Sequence, residues 1–249
     1  MDKLRLCASE AIGTFVLVLI GVGSVSASRM ATGSVDLLAV ALAFGLVVAA
    51  IVAASGHISG AHINPAVTVS LLAVGKIGAG DAAAYIISQL LGAVLAGFAC
   101  HVLLEPGAAA AGATQLHASV SPMQGMALEA VLTFILVFVI FGTAVDMRAQ
   151  KSPSLFIGLA VTVDILVGGP YTGASMNPAR SFGPALAGGV WANHWVYWIG
   201  PLLGGCAAAV IYTFLFLPRT AAEGRPEVRP QAPADTRSGG AESTAGENP

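Results

Sequence analysis

Charged side chains are scarce in this sequence. Asp, Glu, Lys and Arg make up 10% of the 249 residues, whereas hydrophobic residues make up 56%. A typical soluble domain contains about 25% charged residues, so the composition excludes an ordinary soluble domain and indicates a membrane protein. The formal net charge is −2, and without a basic excess no nucleic acid partner is expected.

The chain also has little of what enzymes and metal sites require. Its three cysteines, Cys7, Cys100 and Cys206, lie in apolar segments. They are typical of buried small hydrophobic residues, and they give no disulfide framework. The five histidines lack metal-ligand spacing, and the sequence has no nucleophile–base set or phosphate-binding loop. We therefore expect no enzyme activity, no cofactor and no metal.

Long apolar segments, by contrast, are abundant. A helix needs about 20 mostly apolar residues to cross a membrane, and six segments are predicted to span, although the fifth is short. They cover residues 7–28, 36–55, 82–104, 124–145, 154–170 and 194–217. Two further apolar segments, at 64–73 and 177–187, are too short to span and predict half-length helices.

The positions of lysine and arginine predict the orientation of these spans. With six spans, all basic residues except Arg29 and Arg180 fall on one side of the membrane. Basic residues favour the cytoplasmic side, so both termini are expected to be cytoplasmic. The Ala- and Gly-rich chain, with compact loops and no sorting signal, favours a bacterial plasma membrane.

Residues 218–249 differ in composition from the rest of the chain. They are rich in Pro, Ala, Gly and charged residues and cannot bury enough apolar surface to fold. We expect a membrane domain at 1–217, followed by a disordered cytoplasmic tail.

The membrane domain contains an internal repeat. Its halves align in three pairs of segments: 8–23 with 127–142, 59–67 with 172–180, and 85–96 with 197–208. Each half, about 1–112 and 113–217, holds three spans, which is an odd number. The second half is therefore inverted relative to the first. Inverted repeats of this kind place their functional site near the membrane midplane, between the halves.

Each half contains the tripeptide Asn-Pro-Ala at the start of its short apolar segment. These boxes are Asn64, Pro65 and Ala66 in the first half, and Asn177, Pro178 and Ala179 in the second. Proline suits the first turn of a helix, so each box predicts a helix start with Asn as the N-cap. Because the repeat is inverted, the positive ends of the two half-helices converge. This arrangement suits a neutral dipolar molecule in single file and disfavours cations, including the proton.

A glycine-containing stretch precedes each box and leaves backbone carbonyls without helical partners. Such backbone is tolerated at membrane depth only where it is buried in protein or lines a watery cavity. We expect these carbonyls to form a row of acceptors along a pore. They belong to Ala61, His62 and Ile63 in the first half, and to Ala174, Ser175 and Met176 in the second.

Glu10 and Glu129 occupy matching positions at the start of the two halves. Ionisable residues inside a membrane are costly and mark functional sites. One hypothesis makes the two carboxylates proton carriers of a secondary transporter. The hypothesis that we favour is that each carboxylate accepts hydrogen bonds from backbone N–H groups of a re-entrant loop and fixes that loop.

The paired Asn-Pro-Ala boxes, the Glu at the start of each half and Arg180 directly after the second box resemble the aquaporin (major intrinsic protein) family. The resemblance covers residues 5 to 217. It implies an all-α membrane protein with six tilted helices and two re-entrant half-helices. It also implies a homotetramer in membrane lipid, with one pore per protomer. The second half looks most similar to aquaporin-eight-like and plant tonoplast-type members.

In that family four positions form a selectivity constriction, and the resemblance assigns them to Phe44, Ile165, Ala174 and Arg180. Water-selective members typically have histidine where this chain has Ile165. This difference removes a donor and makes one wall apolar, so a wider and less polar constriction is expected. Glycerol channels usually have an Asp after the arginine, whereas this chain has Ser181.

The expected function is a passive channel for water that excludes protons and ions. Hydrogen peroxide is the next candidate solute because its size and hydrogen bonding approximate those of water, and ammonia and urea follow. Two alternatives stay open. One is a proton-coupled secondary transporter, and the other is a structural adhesion protein that carries no flux.

Overall fold

The computed structural model describes residues 2–148 and 152–218, and the predicted tail lies outside the described residues from 219 onward. Helices α1 to α9 in this part of the chain are Lys3–Thr32, Leu37–Ser59, Pro65–Ala73, Ala79–Leu103, Ala108–Gly112, Pro122–Ile140, Pro153–Thr172, Pro178–Gly188 and Val196–Leu215. Phe141–Val145 continues α6 as one π-helical turn. The described ranges contain no β-strand.

Within residues 2–148 and 152–218, six helices are long and apolar enough to cross a membrane: α1, α2, α4, α6 with its π-helical turn, α7 and α9. Helices α3 and α8 have 9 and 11 residues, about half of what a span requires. The predicted fold of six spans and two half-helices is therefore confirmed. Helix α7 has 20 residues and extends beyond the predicted 154–170 at both ends. At its C-terminal end it continues past Pro170, which lies inside the helix.

The linker between the two halves contains a short helix, α5, which the sequence pattern does not predict. Alanine is the best helix former, but five residues are too few to show a helical period. Helix α5 packs against α1 and α8. The packing is close, because a Cβ on Gly112 would lie 2.6 Å from Val22 and one on Gly188 would lie 2.6 Å from Ala110.

Equivalent helix pairs pack in the same way in the two halves. Helix α1 packs on α4 in the first half, and α6 packs on α9 in the second. A Cβ on Gly92 would collide with the backbone carbonyl of Ala11, and a Cβ on Gly204 would collide with that of Ala130. Both glycines therefore allow the close backbone approach that small residues give in membranes.

Two glycines end the helices that lead to the Asn-Pro-Ala boxes. Helix α2 is followed by Gly60 with φ 88°, and α7 is followed by Gly173 with φ 82°. Both conformations are left-handed, which glycine adopts without a steric penalty. Each glycine thus turns the chain out of a full span and into the re-entrant loop of its half.

Candidate functional site

The two Asn-Pro-Ala boxes meet at the N-terminal tips of α3 and α8. Nδ2 of Asn64 donates to the carbonyl oxygen of Met176 at 2.8 Å, and Nδ2 of Asn177 donates to the carbonyl oxygen of Ile63 at 2.9 Å. Each Asn is thus bound to the residue that precedes the other box. A side-chain amide has two N–H hydrogens, so this exchange uses one hydrogen of each Asn.

Each Asn also caps its own half-helix, and the proline that follows it begins the helix. Oδ1 of Asn64 accepts from the N–H of Ala66 at 2.8 Å. Oδ1 of Asn177 accepts from the N–H groups of Ala179 at 3.0 Å and Arg180 at 3.2 Å. Because the oxygens bind the helices, the two amides face the junction as donors, beside two converging positive helix ends.

The stretches before the boxes have an unusual backbone. Ala61 and Ile63 have φ values of 47° and 44°, and Ala174 and Met176 have values of 43° and 54°. A non-glycine residue in this region costs about 1–3 kcal/mol. The sequence gives no sign of these conformations, because neither Ala nor Ile favours them. Such a backbone persists only where its surroundings hold it in place.

In the first half, Glu10 holds the loop. Its carboxylate is fully buried and accepts from the backbone N–H of His62 at 3.0 Å and of Ile63 at 2.6 Å. It also accepts from the hydroxyl of Ser59 at 2.7 Å and the amide of Gln89 at 2.8 Å. The carboxylate therefore binds the end of α2, the re-entrant loop and α4.

In the second half, Glu129 has equivalent contacts. The carboxylate is fully buried and accepts from the backbone N–H groups of Ser175 and Met176, both at 2.8 Å. The hydroxyl of Thr172 donates to it at 2.7 Å. These three donors occupy the positions aligned with Ser59, His62 and Ile63, which are three of the four donors to Glu10.

A pair of tyrosines completes this arrangement, although their contact with the re-entrant loops was not predicted. The hydroxyl of Tyr85 donates to the carbonyl of Ser59 at 2.9 Å, and that of Tyr197 donates to the carbonyl of Thr172 at 2.9 Å. Both pairs occupy aligned positions in the repeat. A position-by-position comparison of the two halves contains the information needed to find them.

The four residues assigned to the constriction lie together. Phe44, Ile165, Ala174 and Arg180 line one narrow cavity of about 30 Å³. Nη1 of Arg180 donates to the backbone carbonyl of Gly112 at 3.0 Å, and its guanidinium lies 4.7 Å from the centre of the Phe44 ring. The sequence does not mark Gly112 as part of the site, because this residue contributes a backbone carbonyl and no residue-type pattern indicates such a contribution.

A wider cavity of about 600 Å³ lies on the other side of the boxes. Leu17, Val48 and Asn177 line both cavities, so the two adjoin at the junction of the half-helices. The predicted carbonyl residues divide evenly between them. Ala61, His62 and Ile63 line the wide cavity, while Ala174, Ser175 and Met176 line the narrow one.

The ionisable residues elsewhere do not assemble into a metal site. Within residues 2–148 and 152–218, no group of three or more His, Cys, Asp or Glu side chains is placed to hold a metal ion. Glu10 and Glu129 are not among the residues that line the two cavities. The site therefore consists of two amides, backbone carbonyls and one arginine along a path between two cavities.

Comparison with known proteins identifies the family. The chain matches the family described as Major intrinsic protein over residues 1–212. The chain belongs to the major intrinsic protein family. Members of this family are channels, so the chain is a multi-pass membrane channel and not an enzyme.

Individual relatives agree with this assignment. The chain is 48% identical to Aquaporin TIP4-4 of Zea mays over 222 residues, covering 86% of this chain and 87% of that protein. It is 41% identical to Aquaporin-4 of Mus musculus, covering 85% of this chain and 67% of that protein. The structure of the aquaglyceroporin from Plasmodium falciparum superposes with a TM-score of 0.77 at 26% identity, covering 86% of this chain and 97% of that one. The fold is therefore the aquaporin fold.

Proposed function

We propose that this channel conducts water passively and excludes protons and other ions. The junction of the two boxes carries the proposal, since Asn64 and Asn177 each keep one amide hydrogen beyond their mutual exchange. Two such donors orient a small dipolar molecule as it passes from the wide cavity to the narrow one. The first relatives named above are aquaporins, which agrees with water as the main permeant.

Ion exclusion rests on positive charge along the path. The N-terminal ends of α3 and α8 converge at the junction, and each helix end is equivalent to about half a positive charge. Arg180 adds a full charge in the constriction, where it is only 5% exposed. Selectivity in such pores depends on diameter, lining donors and electrostatic barriers, for which aquaporin-type pores are a known example.

Phe44, Ile165, Ala174 and Arg180 are proposed to set the solute range. With Ile165 the constriction has an apolar wall, and among the described residues that line it Arg180 is the one charged side chain. An apolar wall lowers the penalty for solutes less polar than water. We propose hydrogen peroxide as the first additional solute, followed by ammonia and urea.

The two buried glutamates are proposed to support the loops. Glu10 and Glu129 accept hydrogen bonds from four and three donors, respectively. A carboxylate that holds a loop in this way keeps the same donors throughout transport. A proton carrier must instead gain and lose a proton from a water-filled path. Their position away from both cavities favours support over the alternative of a proton-coupled secondary transporter.

Organisation and location are also proposals. We assign 1–217 to the channel domain, with repeats at about 1–112 and 113–217, and 218–249 to a cytoplasmic tail. A homotetramer in membrane lipid with one pore per protomer is the assembly that the family resemblance implies. The distribution of lysine and arginine supports cytoplasmic termini, and the composition favours a bacterial plasma membrane.

Flux measurements in proteoliposomes test the channel against the transporter. Solute uptake should rise linearly with solute concentration and should not depend on an imposed pH gradient. A comparison of water, hydrogen peroxide, urea and glycerol in one preparation ranks the solutes, and we expect them in that order. Saturable uptake that follows the pH gradient would support the transporter instead.

A further inference from the structure

The two re-entrant loops differ in one of the hydrogen-bond donors that hold them. In the first half, Nε2 of Gln89 donates to Glu10 at 2.8 Å and to Oγ1 of Thr68 at 3.0 Å. The residue aligned with Gln89 in the second half is Pro201, which has no side-chain donor. The residue aligned with Thr68 is Ser181. The second half therefore lacks the donor that α4 supplies in the first.

Thr114, from the linker after α5, contacts Ser181 instead. Its Oγ1 lies 2.7 Å from Oγ of Ser181, which lies 2.6 Å from Oγ of Ser175. The hydroxyl of Ser175 donates to the carbonyl of Asn177 at 2.9 Å. Because each hydroxyl has one hydrogen, Ser181 must donate to Ser175 and Thr114 must donate to Ser181. Thr114 is thus the first donor of a buried chain that ends on the second box.

The same linker segment contacts the loop at two more places. A Cβ on Gly173 would lie 3.2 Å from the methyl group of Thr114, so Thr114 also packs against the start of the loop. Two residues before it, the carbonyl of Gly112 accepts the 3.0 Å hydrogen bond from Arg180. The segment 112–114 therefore contacts both Arg180 and Ser181, which are neighbours in the chain.

We propose that Thr114 is a positioning residue for Arg180. Its hydroxyl fixes the linker against Ser181, and the fixed linker presents the Gly112 carbonyl to the guanidinium. Loss of this hydroxyl lets the linker and Arg180 move apart, which widens the constriction. The first box does not depend on Thr114, because Gln89 supplies the equivalent hydrogen bond there. The inference rests on the proposed role of Arg180 in selectivity.

The ratio of urea to water permeability in proteoliposomes tests the inference. Thr114→Val keeps the shape of the side chain and removes the donor. It should raise the ratio about fivefold, the change in a conformational equilibrium that one neutral hydrogen bond produces. Thr114→Ser keeps the donor and should retain the wild-type ratio. Thr133→Val is the matched control, because the buried Thr133 hydroxyl donates to the carbonyl of Glu129 in its own helix and has no other hydrogen bond within the described part of the chain.

Ser181→Ala tests the same hydrogen-bonded chain by removing the hydroxyl that accepts from Thr114. It should raise the ratio by a similar factor, and the double variant with Thr114→Val should show no further increase, because both changes break one chain. A wild-type ratio in Thr114→Val, or an equal rise in Thr114→Ser, would overturn the inference.

Arg180→Ala in the same assay distinguishes the proposed role of Thr114 from the proposed role of Arg180 in selectivity. If Arg180→Ala leaves the ratio unchanged, the proposed selectivity role fails; if only Arg180→Ala raises it, the role of Thr114 alone fails.

Discussion

The guanidinium of Arg180 lies 4.7 Å from the centre of the Phe44 ring, and both side chains line the narrow cavity. A cation over an aromatic face gains about 0.5–2 kcal/mol, and the Gly112 carbonyl adds a charge-assisted hydrogen bond. The two contacts come from different parts of the chain. Together they fix the position of the positive charge, and through it the width of the constriction.

Removal of this charge should relax selectivity. Arg180→Ala is expected to raise urea permeability relative to water about tenfold, which corresponds to a barrier lower by about 1.4 kcal/mol. It should also allow cations to leak, which a membrane-potential dye in the same vesicles detects. Arg180→Lys keeps the charge without the planar fork and should show intermediate urea permeability with no cation leak. Unchanged selectivity in Arg180→Ala would remove this residue from the filter.

Ile165 should decide how far the pore admits solutes other than water. Ile165→His adds a hydrogen-bond donor to the constriction and reduces the apolar part of its lining. The permeability to hydrogen peroxide and urea should therefore fall relative to that of water. Ile165→Leu conserves volume and apolar character and should keep the wild-type ratios. Stopped-flow light scattering and a peroxide-sensitive dye measure these quantities. Equal ratios in Ile165→His and wild type would place the size limit elsewhere.

Glu129 should matter for stability and not for proton coupling. In Glu129→Gln, one oxygen becomes an NH₂ group that faces donors, so at least one hydrogen bond is lost at a cost of about 1.5–3 kcal/mol. We expect a lower thermal unfolding temperature in detergent. The water permeability of the remaining folded channels should keep its wild-type pH profile. A pH dependence of flux in wild type that disappears in Glu129→Gln would instead support the proton-carrier hypothesis.

Asp146 should stabilise the loop after α6 in a pH-dependent way. Hydrogen bonds from Arg148, including one of 2.9 Å from its Nε, hold the pKa of the Asp146 carboxyl below its usual range. A carboxyl with a lowered folded-state pKa stabilises the fold above its unfolded pKa of about 3.9 and loses this effect as the pH falls below it. Arg148 also donates to the carbonyl of Phe216 at 2.7 Å, so the pair joins this loop to the chain after α9.

The matching experiment compares Asp146→Asn with wild type across pH. The wild-type protein should have the higher unfolding temperature at pH 7, and the difference should shrink as the pH falls below about 4. Asp36→Asn is a suitable control, since Asp36 caps α2 through backbone contacts alone and Asn is an equally good N-cap. A difference between Asp146→Asn and wild type that is constant with pH would contradict the assignment.

Much of the site is encoded locally and could be predicted. Two half-helices that meet at their tips are predicted from the span lengths, the Asn-Pro-Ala boxes and the repeat. These features can be found in the sequence because each is a pattern of residues close together in the chain. The contacts of Glu10 and Glu129 with the loops follow from their aligned positions. The predictions of pore carbonyls and filter residues remain predictions about function, although the structure places all of those residues along the two cavities.

Other parts depend on the path of the chain and could not be predicted. Helix α5 is five residues long, so no periodicity marks it, and the carbonyl of Gly112 acts through the backbone. The left-handed conformations of Ala61 and Ala174 contradict residue preference and arise because buried carboxylates hold the next two N–H groups. Thr114 has no equivalent in the repeat alignment. Its role depends on the linker reaching the second box.

Simultaneous measurement of water and proton flux in one set of proteoliposomes tests whether this channel conducts water and excludes protons. An osmotic gradient drives water, an encapsulated pH dye reports protons, and Arg180→Ala vesicles serve as the comparison. A water channel that excludes protons should give fast shrinkage with a low activation energy and no internal pH change beyond that of protein-free vesicles. Shrinkage no faster than in protein-free vesicles, or proton flux that accompanies the water, would contradict it.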